Sequence, residues 1–459
     1  MKDLPPEVVA VAFAKTSRSP EPFDQIAAEL TEAGSARFHE KWVVGYGHAS
    51  VAEHAVLSLA IENVSILAAK AIEDNRLASY TEKSTRYQVY EPERVYRPEC
   101  LLHHPDLARE YEALIRELLT TYIDWSRQAL EWFRRENPRP ADKSEAFWES
   151  RLRAQACDAI RYLLPTATLT NLGWTVNARE LAHAIRKLTG SELAELRMIG
   201  EEIKTVATGQ VPTLLKYADP DLARGLGAGA VAGVLKSDAT VNTPTSVPRS
   251  PEVRVLQHDS DGLSHLCCAV AYPHQGDDWN ALAGRIRQWS TGEMIALLRE
   301  YVAPLGPFDS MPRAFEHLVY LIEITIDYGA WRDIQRHRIG TQTAQELTPH
   351  LGYTVPTLID QLGWRGRFGE LAGRSQQVYD AIHAVSPAEA VYALMLAFRK
   401  RSLFVWNLRE VCHFVRLRGT AKGHDAYRAI AHDLWRQMLR LQPWLGEITS
   451  PLGSDFRAW

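Results

Sequence analysis

Two short polar constellations in this chain have residue types suited to holding anions. Residues 82–86 read Glu-Lys-Ser-Thr-Arg, which places an acid, a hydroxyl and a guanidinium at alternate positions, and residues 336–338 read Arg-His-Arg. A guanidinium presents fixed, permanently protonated donors that match phosphate or carboxylate oxygens two at a time, so each constellation suits a small anionic ligand. Gly47-His48-Ala49-Ser50 and Glu53-His54 precede the first constellation, and Glu316-His317 precedes the second. The first stretch keeps the Glu-x-Ser-x-Arg turn and has lost the basic triplet, whereas the second keeps the triplet and has lost the turn. Complementary losses of this kind point to one shared site divided between two halves. No Ser-His-Asp or Cys-His set suited to nucleophilic catalysis stands out.

The repeat extends further. Asn177, Arg179, Glu180, His183 and Arg186 recur as Asn407, Arg409, Glu410, His413 and Arg416, each pair displaced by 230 positions, and a constant displacement marks a duplicated unit. Glu53-His54 recurs at a displacement of 263, so the first copy holds about thirty extra residues, placed around 91–150. At 459 residues the chain exceeds what one hydrophobic core usually supports. Two domains are expected, 1–218 and 251–459. The segment 219–250, with its Gly-rich run at 225–230 and its Thr, Pro and Ser at 240–250, is expected to link them. No apolar strand leads into the Gly-rich run, which argues against a dinucleotide loop.

A formal net charge of −4 with 24% charged residues gives no broad cationic field, so long nucleic acid is not an expected partner. The five cysteines are odd in number and lack the paired spacing of a zinc or redox site, so no metal is expected and a reducing compartment is. The chain shows no basic-then-apolar leader and no run of eighteen apolar residues. These features predict a cytoplasmic protein with no membrane association.

The elements that must position the constellations can be read from periodicity. Alternation predicts strands over 55–64 and 317–326, each running into a short helical stretch, 65–74 or 329–335, at whose end the triplet or its altered counterpart sits. Leu408, Val411, Cys412 and Val415 take helical apolar spacing, with Arg409, His413 and Arg416 as a second stripe that reads, by itself, as a solvated face. Helical segments are expected at 105–136, 141–163 and 378–401. The inventory is α+β in each half. Taken alone, Glu82 and Arg86 read as a surface ion pair, and the Glu-His pairs as braces at strand entry.

Gly-His-x-Ser-x-x-Glu-His at 47–54, Ala-Ser-Tyr-x-Glu-x-Ser-x-Arg-Tyr at 78–87, Trp-Thr-Val-Asn-Ala-Arg at 174–179 and the Arg-His-Arg triplet together resemble the flavin-dependent thymidylate synthases. The similarity spans about 8–215 and 252–445, as in a tandem fusion of two subunits. It implies two such domains, each a small sheet with long helices, packed as a pseudo-dimer, with two chains forming a pseudo-tetramer. It also implies FAD as cofactor, dUMP as substrate, and methylenetetrahydrofolate and NADPH as co-substrates in making dTMP.

Carried over position by position, the resemblance assigns nucleotide binding to Glu82, Lys83, Ser84, Thr85, Arg86 and Arg161, all in the first half. The corresponding loop of the second half, Ala344 to Thr348, should not hold a phosphate. Conversely, Arg336, His337 and Arg338 match the triplet used on flavin and nucleotide, and Arg418 matches the arginine that activates the uracil ring. The first half offers Asp74-Asn75-Arg76 and Leu188 there. Ser50, Asn177, Arg179, Asn407, Arg409 and His413 match flavin-contacting positions. The first half's loop with the second half's triplet makes one complete site, and the reverse pairing makes one stripped of nearly everything. Replacing an anion-facing Arg by Asp removes about 1.5–3 kcal/mol of charge-assisted hydrogen bonding and adds about 4 kcal/mol of repulsion at roughly 4 Å with a dielectric of about 20. Two alternatives stay open: a catalytically silent flavin- or nucleotide-binding protein, and flavin-dependent modification of another pyrimidine nucleotide.

Overall fold

The computed structural model describes residues 4–91, 93–221, 230–231, 233–234, 250–306, 309–421 and 423–449. Most of the segment expected to link the halves lies outside the described residues. The chain divides into two compact units, Met1–Thr243 with Thr357–Met395, and Pro244–Pro356 with Leu396–Trp459.

In the first unit, β1 (Val56–Ser65), β2 (Ala78–Glu82) and β3 (Leu169–Asn177) form an antiparallel sheet in the order β1-β3-β2. Alternate residues of β3, Leu172, Trp174 and Val176, are buried with Leu57, Leu181 and Ile185 in one core, as a strand with one wet face requires. In the second unit, β4 (Glu252–Gln257), β5 (Val319–Asp327), β6 (Thr341–Ala344) and β7 (Arg399–Asn407) take the order β4-β5-β7-β6. Phe404 and Trp406 occupy the buried positions of the central strand.

The registers establish the duplication independently of side-chain identity. Val56 pairs with Asn177 as Val319 pairs with Asn407, and Glu82 pairs with Leu172 as Ala344 pairs with Ser402. A slip of one residue would turn every side chain to the other face, so this agreement fixes which positions correspond. Ser65 and Asp327 likewise cap the helices Ile66–Glu73 and Tyr328–Ile334, each accepting a backbone N–H three residues on. Counting from these caps, Lys70 corresponds to Arg332, Glu73 to Gln335 and Asn75 to His337.

The helix expected over 105–136 is observed as Pro105–Glu136, with proline in its first turn and Tyr111, Leu114, Ile115, Leu118, Tyr122 and Trp125 buried along one stripe. The segment 141–163 is the helix Glu145–Ile160 followed by a 3-10 turn, Arg161–Leu163. The expected helix over 378–401 is corrected. The helix there is Arg365–His383, a 3-10 turn occupies Ala388–Ala393, and β7 begins at Arg399. Pro387 lacks an N–H to continue the ladder, and disfavours helical geometry at Ser386 before it. The Arg365–His383 helix packs on Pro105–Glu136 within the first unit, where Trp125 stacks on Trp364 at 4.4 Å and Glu117 meets Arg367 and Arg374. Among the described residues, no helix is long and apolar enough to cross a membrane.

Candidate functional site

The Glu82-to-Arg86 segment starts as the last residue of β2 and turns beneath the Glu145–Ile160 helix. Glu82 is not in a surface pair with Arg86. Its side chain is 1% exposed and 2.9 Å from the ammonium of Lys70, itself 2% exposed, which also meets Glu73. Strand alternation turns Glu82 inward to a cation carried by the helix behind the sheet. Arg86 instead forks onto Asp158, its Nε and Nη2 donating to the two carboxylate oxygens at 2.7 and 2.6 Å. Arg161, buried, donates from Nη1 to the Thr85 hydroxyl at 3.4 Å and lies 3.6 Å from Asp158. Asp158 is thus shared by both arginines assigned to the nucleotide. Lys83 and Ser84 are half-buried on the same turn, and the Ser84 hydroxyl accepts the Arg86 backbone N–H at 3.2 Å. The structure brings these residues together in the first unit, as the sequence reading groups them.

In the second unit, the triplet lies between the Tyr328–Ile334 helix and β6. Arg336 is exposed, 3.6 Å from Asp333; Arg338 is half-buried; His337 is buried. Gln342 holds this corner by donating to the carbonyls of Gln335 and His337 at 3.1 and 2.6 Å. The His337 ring packs edge-on to Phe414, centroids 5.0 Å apart. Its Nδ1 is 2.8 Å from Glu410 Oε1, and its Nε2 accepts the Nε–H of Arg418 at 3.0 Å. Burial, with the Arg418 charge beside it, pushes the His337 pKa down to about 3. The Glu410 contact is therefore a hydrogen bond from a neutral imidazole and not an ion pair. Burial raises the Glu410 carboxyl to about 7. Arg418 also donates from Nη2 to the Asp333 carbonyl at 2.7 Å, and its guanidinium sits 5.2 Å from the Tyr427 ring.

Asn177 and Asn407 each end a central strand and cap the helix that follows, accepting the N–H of Glu180 or Glu410 at 2.9 and 2.8 Å. The glutamates of the two Glu-His pairs meet the arginines of these helices. Glu53 contacts Arg179, and Glu316 accepts from Arg409 Nη1 at 2.9 Å. Arg409 Nε also donates to the Met311 carbonyl at 2.6 Å. Ser50 is exposed on the 3-10 turn Ala49–His54. The stripe of Arg409, His413 and Arg416 is more than a solvated face. With Met311, Glu316 and Asn407 it lines a cavity of about 190 Å³. Typical ligand pockets hold about 300–1,000 Å³, so this cavity suits one small moiety of a larger ligand. Its cationic and amide donors fit a phosphate or ring edge, and Met311 and Ile339 supply apolar wall. Among the described residues, no cluster of His, Cys, Asp and Glu is arranged to hold a metal.

The sequence reading missed Lys70 and Asp158. Lys70 was detectable as a lone cation inside the apolar run Ile66 to Ile72, and Asp158 as the carboxylate three residues before Arg161 on a helix.

The family model described as Thymidylate synthase complementing protein matches residues 2–213 and again 254–444. A UPF0159 protein of Chlamydia muridarum is 30% identical over 478 residues, covering 96% of this chain and 89% of that protein. A UPF0159 protein of Thermoplasma acidophilum is 27% identical, covering 92% and 89%. A flavin-dependent thymidylate synthase of Thermococcus onnurineus is 32% identical over 149 residues, 32% of this chain and 51% of that protein.

Proposed function

Since this chain belongs to the thymidylate synthase complementing protein family, matched once in each half, we propose that it is an FAD-dependent thymidylate synthase-like enzyme. It methylates dUMP reductively to dTMP, taking carbon from methylenetetrahydrofolate and reducing equivalents from NADPH. The loop of the first half and the triplet and Arg418 of the second half make up its one complete site.

The observation that carries this reading is the pattern of exchange at register-matched positions. Where the first copy has Glu82, the second has Ala344; where the second has His337 and Arg418, the first has Asn75 and Leu188. Each copy keeps the groups the other lacks. A dimer of such chains completes a pseudo-tetramer.

In this reading Arg86 and Arg161 take the nucleotide phosphate, with Lys83, Ser84 and Thr85 lining its turn, and Glu82 anchors the turn to Lys70. Arg418 places fixed positive charge against the uracil edge as it gains negative character, which is preorganised electrostatic stabilisation. Arg336, Arg338, Asn407, Arg409 and His413 hold flavin in the second half, and Ser50, Asn177 and Arg179 line the matching groove of the first; His337, assigned to flavin by the resemblance, is buried with both ring nitrogens taken by Glu410 and Arg418 and supports the site from behind. When bound, the flavin supplies hydride transfer, which side chains cannot. No protein nucleophile takes part.

The test is the flavin absorbance spectrum of the purified protein with and without dUMP, followed by tritium release from 5-labelled dUMP. A yellow protein whose spectrum shifts with dUMP and that releases tritium supports the reading. A colourless protein that takes up no FAD favours a silent homologue. A yellow protein that releases no tritium favours a different pyrimidine nucleotide.

A further inference from the structure

The polar chain Glu410, His337, Arg418 has a directionality that hydrogen-bond chemistry alone fixes. A guanidinium nitrogen can only donate, so the 3.0 Å contact from Arg418 Nε requires a lone pair on His337 Nε2. A neutral imidazole then carries its one proton on Nδ1, which points to Glu410 Oε1 at 2.8 Å. Both side chains are withdrawn from water, 2% exposed for His337 and 8% for Glu410. Few waters can replace either bond, and the opposite tautomer would set N–H against N–H at Arg418.

The duplicated copy shows what the fold needs and what it does not. The Ala178–Thr189 helix has the same Asn cap and the same glutamate, Glu180, as the Leu408–Arg418 helix. Yet the positions of His337 and Arg418 are taken in the first copy by Asn75 and Leu188. Asn75 has turned to the Ile72 carbonyl at 2.7 Å, and Leu188 is buried among apolar neighbours. A helix of this type therefore folds without the polar chain.

We propose that Glu410 is a positioning residue: it holds the Nδ1–H tautomer of His337, which in turn fixes the Arg418 guanidinium in place through its Nε–H. Asp333, from the Tyr328–Ile334 helix, steadies the other end through its backbone carbonyl, with its carboxylate 4.0 Å from Nη1. Other charged or titratable groups facing this chain include Arg409, His413 and Arg416, from Glu410's own helix, and Tyr427, whose ring lies 5.2 Å from the Arg418 guanidinium. The catalytic consequence rests on the proposed function, since it takes Arg418 as the group that polarises the substrate ring. Losing the group that orients a catalytic side chain costs up to about 10²-fold, through a misplacement on the order of 1 Å.

Two readouts test it on the full-length protein. The first is the tautomer of His337 by long-range 1H–15N correlation at pH 7.5, its signal identified by loss in His337→Asn. Protonation on Nδ1 in the wild type, lost or mixed in Glu410→Ala and restored in Glu410→Gln, is the expected result. A wild-type His337 protonated on Nε2 overturns the proposal without any variant. The second is turnover. Glu410→Ala lowers kcat for tritium release by up to about 10²-fold with dUMP affinity within about threefold, and Glu410→Gln recovers most of it. Equal loss in both variants, or none in Glu410→Ala, overturns it. If the wild type does not act on dUMP, the function reading fails while the tautomer readout still decides this one.

Discussion

The ammonium of Lys70 lies 2.9 Å from the carboxylate of Glu82, and both side chains are almost wholly withdrawn from solvent. Glu73 meets the same ammonium. Removing the lysine would take a shared counter-charge from two buried carboxylates in a low-dielectric setting. Lys70→Ala should therefore destabilise the first unit by about 3–5 kcal/mol, seen as a lowered midpoint in thermal or denaturant unfolding. An unchanged midpoint would mean that water reaches this cluster.

Asp158 occupies both donors of the Arg86 fork that a phosphate would use. Arg86→Ala should weaken dUMP binding by about 1.5–3 kcal/mol. Asp158→Asn should tighten it several-fold, because the neutral amide competes less for the guanidinium. Titration of flavin absorbance with dUMP reads both. Weaker binding in Asp158→Asn would show that the carboxylate orients Arg86 and does not rival the phosphate.

Arg418 is assigned to the reacting ring and Arg86 to the phosphate, so their losses should separate. Arg418→Ala should abolish tritium release while dUMP affinity falls much less than in Arg86→Ala. Equal effects on affinity would contradict the assignment.

The two buried groups of the second unit predict opposite pH dependences of stability. His337 titrates near 3 when folded, below its ordinary 6.5. The unfolded chain takes up that proton first, so stability falls as pH drops from 6.5 toward 3. His337→Asn should remove about 2–4 kcal/mol of this acid sensitivity. Glu410 titrates near 7, above its ordinary 4.5. The folded chain keeps that proton longer, so stability falls as pH rises from 4.5 to 7, and Glu410→Gln should gain on the wild type at pH 8. Denaturant midpoints across pH 4–8 check both slopes.

The duplication was legible because five identities at one spacing survive only where backbone and side chain are both constrained. Asn177 and Asn407 cap helices, and Glu53 and Glu316 each brace the arginine two residues beyond the cap. The long helix at 105–136 was legible because proline starts it and one unbroken apolar stripe runs its length. The central strands β3 and β7 were not. Gly173 interrupts the alternation of β3, and β7 opens on Arg399-Lys400-Arg401, into which the helix expected over 378–401 was carried. Partners distant in sequence were also hidden. Nothing near Glu82 announces Lys70, and only the register that sends alternate β2 side chains inward creates the pair. Glu410 stood out as a repeated residue, but its bond to His337 depends on how a helix and a corner 73 residues earlier are packed.

The matching strand ends of the two copies, which differ by one extra residue in β1, have an evolutionary corollary. In an assembly of identical subunits every substitution appears at every equivalent place at once, so a residue needed at one of them is frozen at all. Covalent tandem fusion removes that coupling: Ala344 could arise without touching Glu82, and Leu188 without touching Arg418. The chain is free to specialise one copy and let the other drift toward scaffold, and its backbone pairing records the starting point from which both departed.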